Sequence, residues 1–140
     1  MKTIENWNVV AVLGLLGILT IAFFLAFALE DETAAEPTVQ FITSSEAREK
    51  INEHQETFIL DVRSIEEFLE RRIPGAVNIP YNMVAAEQEK LPQDKHMLIF
   101  VYCMSGRRAG IAANELLELG YTSIIVFPGM IDWEYETITG

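Results

Sequence analysis

The chain has 140 residues, one cysteine and a net charge of −11, a length that fits about one domain. So acidic a chain repels phosphate backbones, which excludes nucleic acid as the expected partner. The single cysteine excludes an internal disulfide, a paired-cysteine zinc site and a Cys-x-x-Cys redox motif.

Residues 1–6 form a short tail in which Lys2 and Glu5 cancel. Trp7–Leu29 follows as 23 residues without a charged side chain. As a helix it spans about 35 Å, enough to cross a hydrocarbon core of about 30 Å. Lys2 precedes it, whereas Glu30, Asp31, Glu32 and Glu36 follow, and the first basic residue beyond is Arg48. This asymmetry predicts a single-pass transmembrane anchor with the C-terminal domain outside the cytoplasm, in the periplasm. The alternative is a signal sequence cut near Ala26-Phe27-Ala28 and a secreted domain. The apolar run exceeds the usual length of such a signal, which favours the anchor. Residues 30–37, acidic and small, read as a linker. Residues 38–140 remain for one folded domain, enough for a core without disulfides or metals.

Along that domain, Val39–Ile42 reads as a short strand. Ser44 and Ser45 are candidate caps for a helix from about Glu46 to His54. Thr57–Val62 is an apolar run of strand length, and Ser64 with Glu67 forms a capping box for a short helix to Arg71. Pro74-Gly75 reads as a turn and Ala76–Ile79 as a strand. Asn82 is a candidate cap for a helix reaching Lys90, which Leu91-Pro92 ends. Met97–Tyr102 is a second buried-type strand, Arg107–Leu119 a helix closed by Gly120, and Ser123–Phe127 the last strand. Ile131–Thr137 is assigned to a terminal helix. Continuous apolar strands alternating with helices predict an α/β fold with a mostly parallel sheet covered on both faces.

Cys103 follows the strand MLIFVY and leads, through CMSGRRAG, into a helix. In parallel sheets, sites form outside the carboxyl ends of strands. A helix N-terminus there offers free N–H groups and partial positive charge, and both favour a thiolate. Gly106 allows a tight turn, and Arg107 and Arg108 supply local positive charge in an acidic domain. The competing reading is a buried cysteine beside two surface arginines. Strand–Cys–loop–helix also fits Cys-x5-Arg phosphatases, but these need an arginine at position 109, where this chain has Ala109.

Four blocks in order carry a resemblance to a known family: DVRSIEEF (Asp61–Phe68), RIPGAVNIP (Arg72–Pro80), YCMSGRRAG (Tyr102–Gly110), and ELLELGY with VFPGMIDW (ending at Trp133). Over about residues 38–134 the chain resembles single-domain rhodaneses, and in particular the small periplasmic phage-shock sulfurtransferases. The resemblance implies a rhodanese-like three-layer fold with a mostly parallel central sheet flanked by helices. It also implies covalent sulfur transfer, with Cys103 attacking thiosulfate or another sulfane-sulfur donor and holding the sulfur as a persulfide. The persulfide rests among the N–H groups of Met104, Ser105, Gly106, Arg107 and Arg108, and a thiol or cyanide takes the sulfur away. Arg107 and Arg108 are the implied anion contacts, Arg107 being the better match. No metal or organic cofactor is implied. Two positions depart from the family's pattern: Arg72 replaces a histidine, and Pro128 replaces the first of two glycines.

Asp61 and Arg63, at a strand end beside the loop, are supporting candidates, with a structural ion pair favoured over direct tuning. Glu67 is read as a helix cap and Trp133 as either a pocket wall or core. An inactive, membrane-tethered rhodanese module is the alternative function. The retained Cys103, loop length, Gly106 and arginine favour the enzyme.

Overall fold

The computed structural model describes residues 36–54 and 56–140. The proposed anchor, and most of the linker after it, lie outside the described residues.

Five strands form one sheet: β1 (Thr38–Phe41), β2 (Thr57–Asp61), β3 (Val77–Asn78), β4 (Leu98–Cys103) and β5 (Ser123–Gly129). Their order is β1-β5-β4-β2-β3, and every pairing is parallel. Among the described residues, three α-helices accompany them: α1 (Ser44–Glu53), α2 (Ile65–Glu70) and α3 (Arg107–Glu118). The mostly parallel α/β arrangement expected from the sequence is therefore present, with both faces of the sheet covered.

Alternation along the strands divides the core. Ile99, Val101 and Cys103 of β4 join Ile124 and Val126 of β5 on one face, under Ala109, Ala112, Ala113 and Leu116 of α3. Phe100 and Tyr102 join Ile125 and Phe127 on the other, with Ala47 of α1, Met130 and Trp133. The small alanines let α3 lie close against the sheet. Its C-terminus closes as a Schellman motif, with Gly120 N–H donating to the Leu117 carbonyl and Tyr121 N–H to that of Leu116.

Three expected elements differ. The cap of α1 is Thr43, whose hydroxyl accepts from Glu46 N–H while the Glu46 carboxylate accepts from Thr43 N–H. Glu46 stands three residues after Thr43, so the capping box selects that position over Ser44 and Ser45. Ser44 is buried instead, donating to Asp132 Oδ1 at 2.5 Å and accepting from Gly129 N–H at 3.4 Å. The helix expected from Asn82 to Lys90 is a run of turns over residues 81–87 and a 3-10 helix, Gln88–Lys90. Within residues 81–90 only Val84 is fully buried, so no apolar stripe supports a longer helix. The terminal helix over Ile131–Thr137 is also absent. A turn spans residues 130–132, and the chain then extends to an antiparallel bridge between Ile138 and Arg72.

The ladder between β4 and β5 slips by one residue at its end: Tyr102 faces Phe127, but Cys103 faces Gly129. Pro128 is the extra residue, a bulge position where the missing N–H costs no ladder bond. The departure at 128 is thus absorbed, and Gly129 makes the close approach. Its φ is +89°, and a Cβ there would lie 2.4 Å from the Cys103 carbonyl oxygen and 2.7 Å from Tyr102 Cδ2. Gly129→Ala is expected to cost about 3 kcal/mol through overpacking and a strained φ, lowering Tm by on the order of 10 °C. Thermal unfolding of the variant measures this.

Candidate active site

The strand order creates the site. β2 leads outward to β3, while its neighbour β4 leads to β5 on the other side. The loops leaving these adjacent strands diverge, and the crevice between them is where parallel sheets bind ligands.

Cys103 ends β4 rather than following it, and its side chain is 1% exposed. The bulge fixes its backbone: Cys103 O accepts from Met130 N–H at 3.1 Å, and Met104 O from Ile131 N–H at 2.9 Å. Residues 104–106 then bend into α3. Gly106, in the left-handed region at φ +93°, is the N-cap and turns its N–H onto Cys103 Sγ at 3.1 Å. No side chain caps α3. Gly110 N–H makes the first intrahelical bond, to Gly106 O, so the N–H groups of residues 107–109 precede the helical ladder at the sulfur's end of the helix.

Met104, Ser105 and Arg107 are exposed. Among the described residues, the Arg107 side chain makes no hydrogen bond or ion pair. Arg108 is half-buried and held by Glu67 through two contacts, Nη1 to Oε2 at 2.6 Å and Nη2 to Oε1 at 2.8 Å. Its pKa is raised above the ordinary guanidinium value. The Glu67 hydrogen bonds are the main cause, working against burial, and Cys103 lies close enough to add to the shift. The sequence pattern ranks Arg107 first; of the two arginines, Arg108 is the one a carboxylate holds in place.

Asp61 and Arg63 form a buried ion pair, Arg63 Nη2 to Asp61 Oδ2 at 2.6 Å and Nε to Oδ1 at 3.0 Å. Arg63 also donates to Arg71 O at 2.6 Å. Burial lowers the Arg63 pKa, but the hydrogen bonds and charge of Asp61 outweigh it and raise the value overall. Asn78 Nδ2 closes the corner by donating to the carbonyls of Asp61 and Arg63. These residues stiffen the loop after β2. Arg72 lies in a bridge with Ile138, away from the cysteine loop, and its guanidinium sits over the Phe68 ring. Trp133 packs against Phe127 with ring centroids 5.7 Å apart, as part of the core on the face away from α3.

Beside the loop opens a cleft of about 380 Å³ lined by Arg63, Glu67, Glu70, Arg71 and Met104. Among the described residues, no group of three or more His, Cys, Asp or Glu side chains is placed to hold a metal ion.

Sequence reasoning missed one member of this arrangement. Glu67 caps α2 as expected, its Oε2 accepting from Ser64 N–H at 3.1 Å, but the same carboxylate grips Arg108. The partners stand 41 residues apart, and no local pattern links them.

The Rhodanese-like domain family matches residues 43–134. The chain belongs to this family. It is 33% identical over 115 residues to the putative sulfur carrier protein YrkF of Bacillus subtilis, a match covering 81% of this chain and 61% of YrkF. The chain thus spans less than two thirds of that relative's length. It is 33% identical over 81 residues to the thiosulfate sulfurtransferase PspE of Escherichia coli, covering 58% of this chain and 78% of PspE. Among solved structures, a rhodanese-like domain protein from Staphylococcus aureus superposes with a TM-score of 0.61 at 26% identity, covering 72% of this chain and 98% of that one.

The grip of Arg108 holds the Glu67 carboxyl at about 2, down from 4.5. A carboxylate with a depressed folded value stabilises fully above its unfolded value, and that stabilisation fades as pH falls from about 4.5 towards 2. Glu67→Gln should therefore lose about 1 kcal/mol at pH 7, with the gap from wild type closing in acid. Denaturant unfolding at pH 7, 4 and 3 checks the trend.

Proposed function

We propose that the domain is a sulfurtransferase that carries sulfane sulfur as a persulfide on Cys103. The observation that carries this reading is the Gly106 N–H donated to Cys103 Sγ at 3.1 Å, at the uncapped start of α3. The sulfurtransferase names of relatives such as PspE support it.

The chemistry is covalent catalysis in two displacements. The Cys103 thiolate attacks the outer sulfur of a donor such as thiosulfate. A sulfur–sulfur bond forms to Sγ, the donor's own sulfur–sulfur bond breaks, and sulfite departs with the electron pair. The persulfide anion then lies against the N–H groups of residues 104–108. An acceptor nucleophile, a thiolate or cyanide, attacks the outer sulfur and leaves as a persulfide or thiocyanate, returning the thiolate. The cleft beside Met104 is at the low end of pockets that take small organic molecules, larger than an inorganic anion needs, and suits the acceptor's approach. No step calls for a metal or organic cofactor.

In this reading Arg108 is the principal fixed cation facing the donor anion, and Arg107 contributes through its field at the mouth. Cys103→Ser should neither gain a sulfur atom by intact mass after thiosulfate nor turn over cyanide. Arg108→Ala should lower kcat/KM for thiosulfate by roughly tenfold to a hundredfold, the scale of one charge-assisted contact, and Arg107→Ala by less. Turnover by a folded Cys103→Ser variant would exclude the covalent route.

We also propose that Trp7–Leu29 anchors the chain in a membrane with the domain on the periplasmic side. The support is that segment's apolar length and the charge asymmetry around it. Among the described residues, no helix is long and apolar enough to cross a membrane. Alkaline phosphatase fused after Gly140 should be active and remain with the membrane fraction. Activity in the soluble periplasmic fraction would point to signal cleavage, and fluorescence of a cytoplasmic reporter in its place would reverse the topology.

A further inference from the structure

The cleft beside the cysteine loop is walled by Met104 and four charged side chains. Two of the four are neutralised within the fold. Arg63 is 2% exposed, its Nε and Nη2 held by the Asp61 carboxylate and Nη2 also by the Arg71 carbonyl. Glu67 is held by Arg108 through both of its oxygens. The other two are neighbours in the chain and exposed: Glu70, the last residue of α2, and Arg71, its C-cap. Among the described residues, the Glu70 carboxylate makes no hydrogen bond or ion pair. Arg71 uses Nη2 alone, donating to Met130 O at 3.1 Å, and its Nε and Nη1 donors are free. Once the internal pairs cancel, the cleft offers one cation and one anion. The cation is also fixed in place. Arg71 N–H donates to Glu67 O at 3.2 Å, and its carbonyl accepts from Arg63 at 2.6 Å. Met130, whose carbonyl takes the guanidinium, donates its own N–H to Cys103 O. The guanidinium and the nucleophile are thus tied to one residue of backbone. Met104, next in the chain after the nucleophile, lines the same cleft.

We propose that Arg71 and Glu70 form the acceptor subsite and select a small zwitterionic thiol, Arg71 taking its carboxylate and Glu70 its ammonium group. The inference rests on sulfur transfer through Cys103 and names the class of acceptor that discharges it. The acceptor thiolate attacks the outer sulfur of the persulfide and forms a sulfur–sulfur bond to it. The bond to Sγ breaks, its electron pair returns to Cys103, and the acceptor leaves as its own persulfide. A cleft of about 380 Å³ has room for a small organic thiol. Cyanide has no group for either charge, and a neutral thiol leaves both unused. Arg71 presents a planar fork suited to a carboxylate, so its contribution exceeds that of Glu70. Both side chains are exposed, so the selection is modest and weakens with salt.

The test measures the two half-reactions apart in the full chain. Cys103 is loaded with thiosulfate, then discharged by 3-mercaptopropionate, cysteamine, cysteine or 2-mercaptoethanol, with intact mass followed over time. Wild type and variant are compared acceptor by acceptor, so differences in thiol reactivity cancel. Arg71→Met keeps the aliphatic stem and removes the charge. It should slow discharge by 3-mercaptopropionate and cysteine about three- to tenfold at low salt, and discharge by 2-mercaptoethanol by no more than about twofold. Arg71→Lys should recover part of the loss. Glu70→Gln should slow cysteine and cysteamine about twofold and leave 3-mercaptopropionate no slower. An equal loss with all four acceptors in Arg71→Met would mark a structural role. Slower loading with unchanged discharge would put Arg71 on the donor side. Either result overturns the proposal, as does discharge of Arg71→Met at the wild-type rate by every acceptor. S-methylcysteine, which cannot take sulfur, tests the subsite apart from transfer. In the isotope-labelled full chain it should shift the amide resonances of Arg71 and Met104, and not those of Met104 in Arg71→Met. A wild type that fails to load yet shows these shifts refutes the transfer and not the subsite, whereas a wild type without the shifts refutes the subsite.

Discussion

Strand β4 is buried on both of its faces, and most of the molecule is arranged to satisfy that requirement. From Ile99 to Cys103 every residue is enclosed, alternately under α3 and under the side of α1 and Trp133. A parallel strand so enclosed needs a partner on each edge, which β2 and β5 provide. It can meet solvent only at its ends. The carboxyl end falls where the chain's connections diverge, so Cys103 emerges at the crevice the topology creates. The same burial sets the tolerance of the site. Gly129 must lack a side chain because the Cys103 carbonyl occupies that space.

Around this end the charges are arranged against the character of the whole. The chain carries −11, yet Arg63, Arg71, Arg107 and Arg108 gather near the cysteine loop. Three of the four are directed by specific partners: Arg63 by Asp61, Arg71 by the Met130 carbonyl, Arg108 by Glu67. Distant surface acids are screened over about 8 Å at physiological salt, so the local cations govern what the loop attracts. Burying the Asp61–Arg63 pair carries a desolvation cost. Several hydrogen bonds offset it, and among the described residues no buried side-chain nitrogen or oxygen lacks a partner.

Much of this was legible in the chain itself. TFILDV and MLIFVY announce buried parallel strands because no polar residue interrupts them until Asp61 in the first. Ser64 and Glu67 announce the start of α2, and the CMSGRRAG block placed the cysteine at a strand end before a helix. The failures have physical causes. Ser44 and Ser45 have the chemistry of a cap, but the reciprocal bond with Glu46 belongs to Thr43. The run after Asn82 has helix-forming residues, yet it turns because it has almost nothing apolar to bury. The extension to the Ile138 bridge overrides helix propensity after Ile131.

The sequence by itself determined the α/β class, the order of the elements, and the place of Cys103 at a strand end before a helix, because hydrophobic period, caps and turn residues act over a few neighbouring positions. The charge pattern around Trp7–Leu29 belongs to the same local kind of information. Only the tertiary structure decided that Glu67 holds Arg108, and that Gly129 rather than Pro128 meets the cysteine. Those facts depend on a contact across 41 residues and on a one-residue slip between strands. Both arise from the packing of the whole sheet, which brings together side chains that no local pattern pairs.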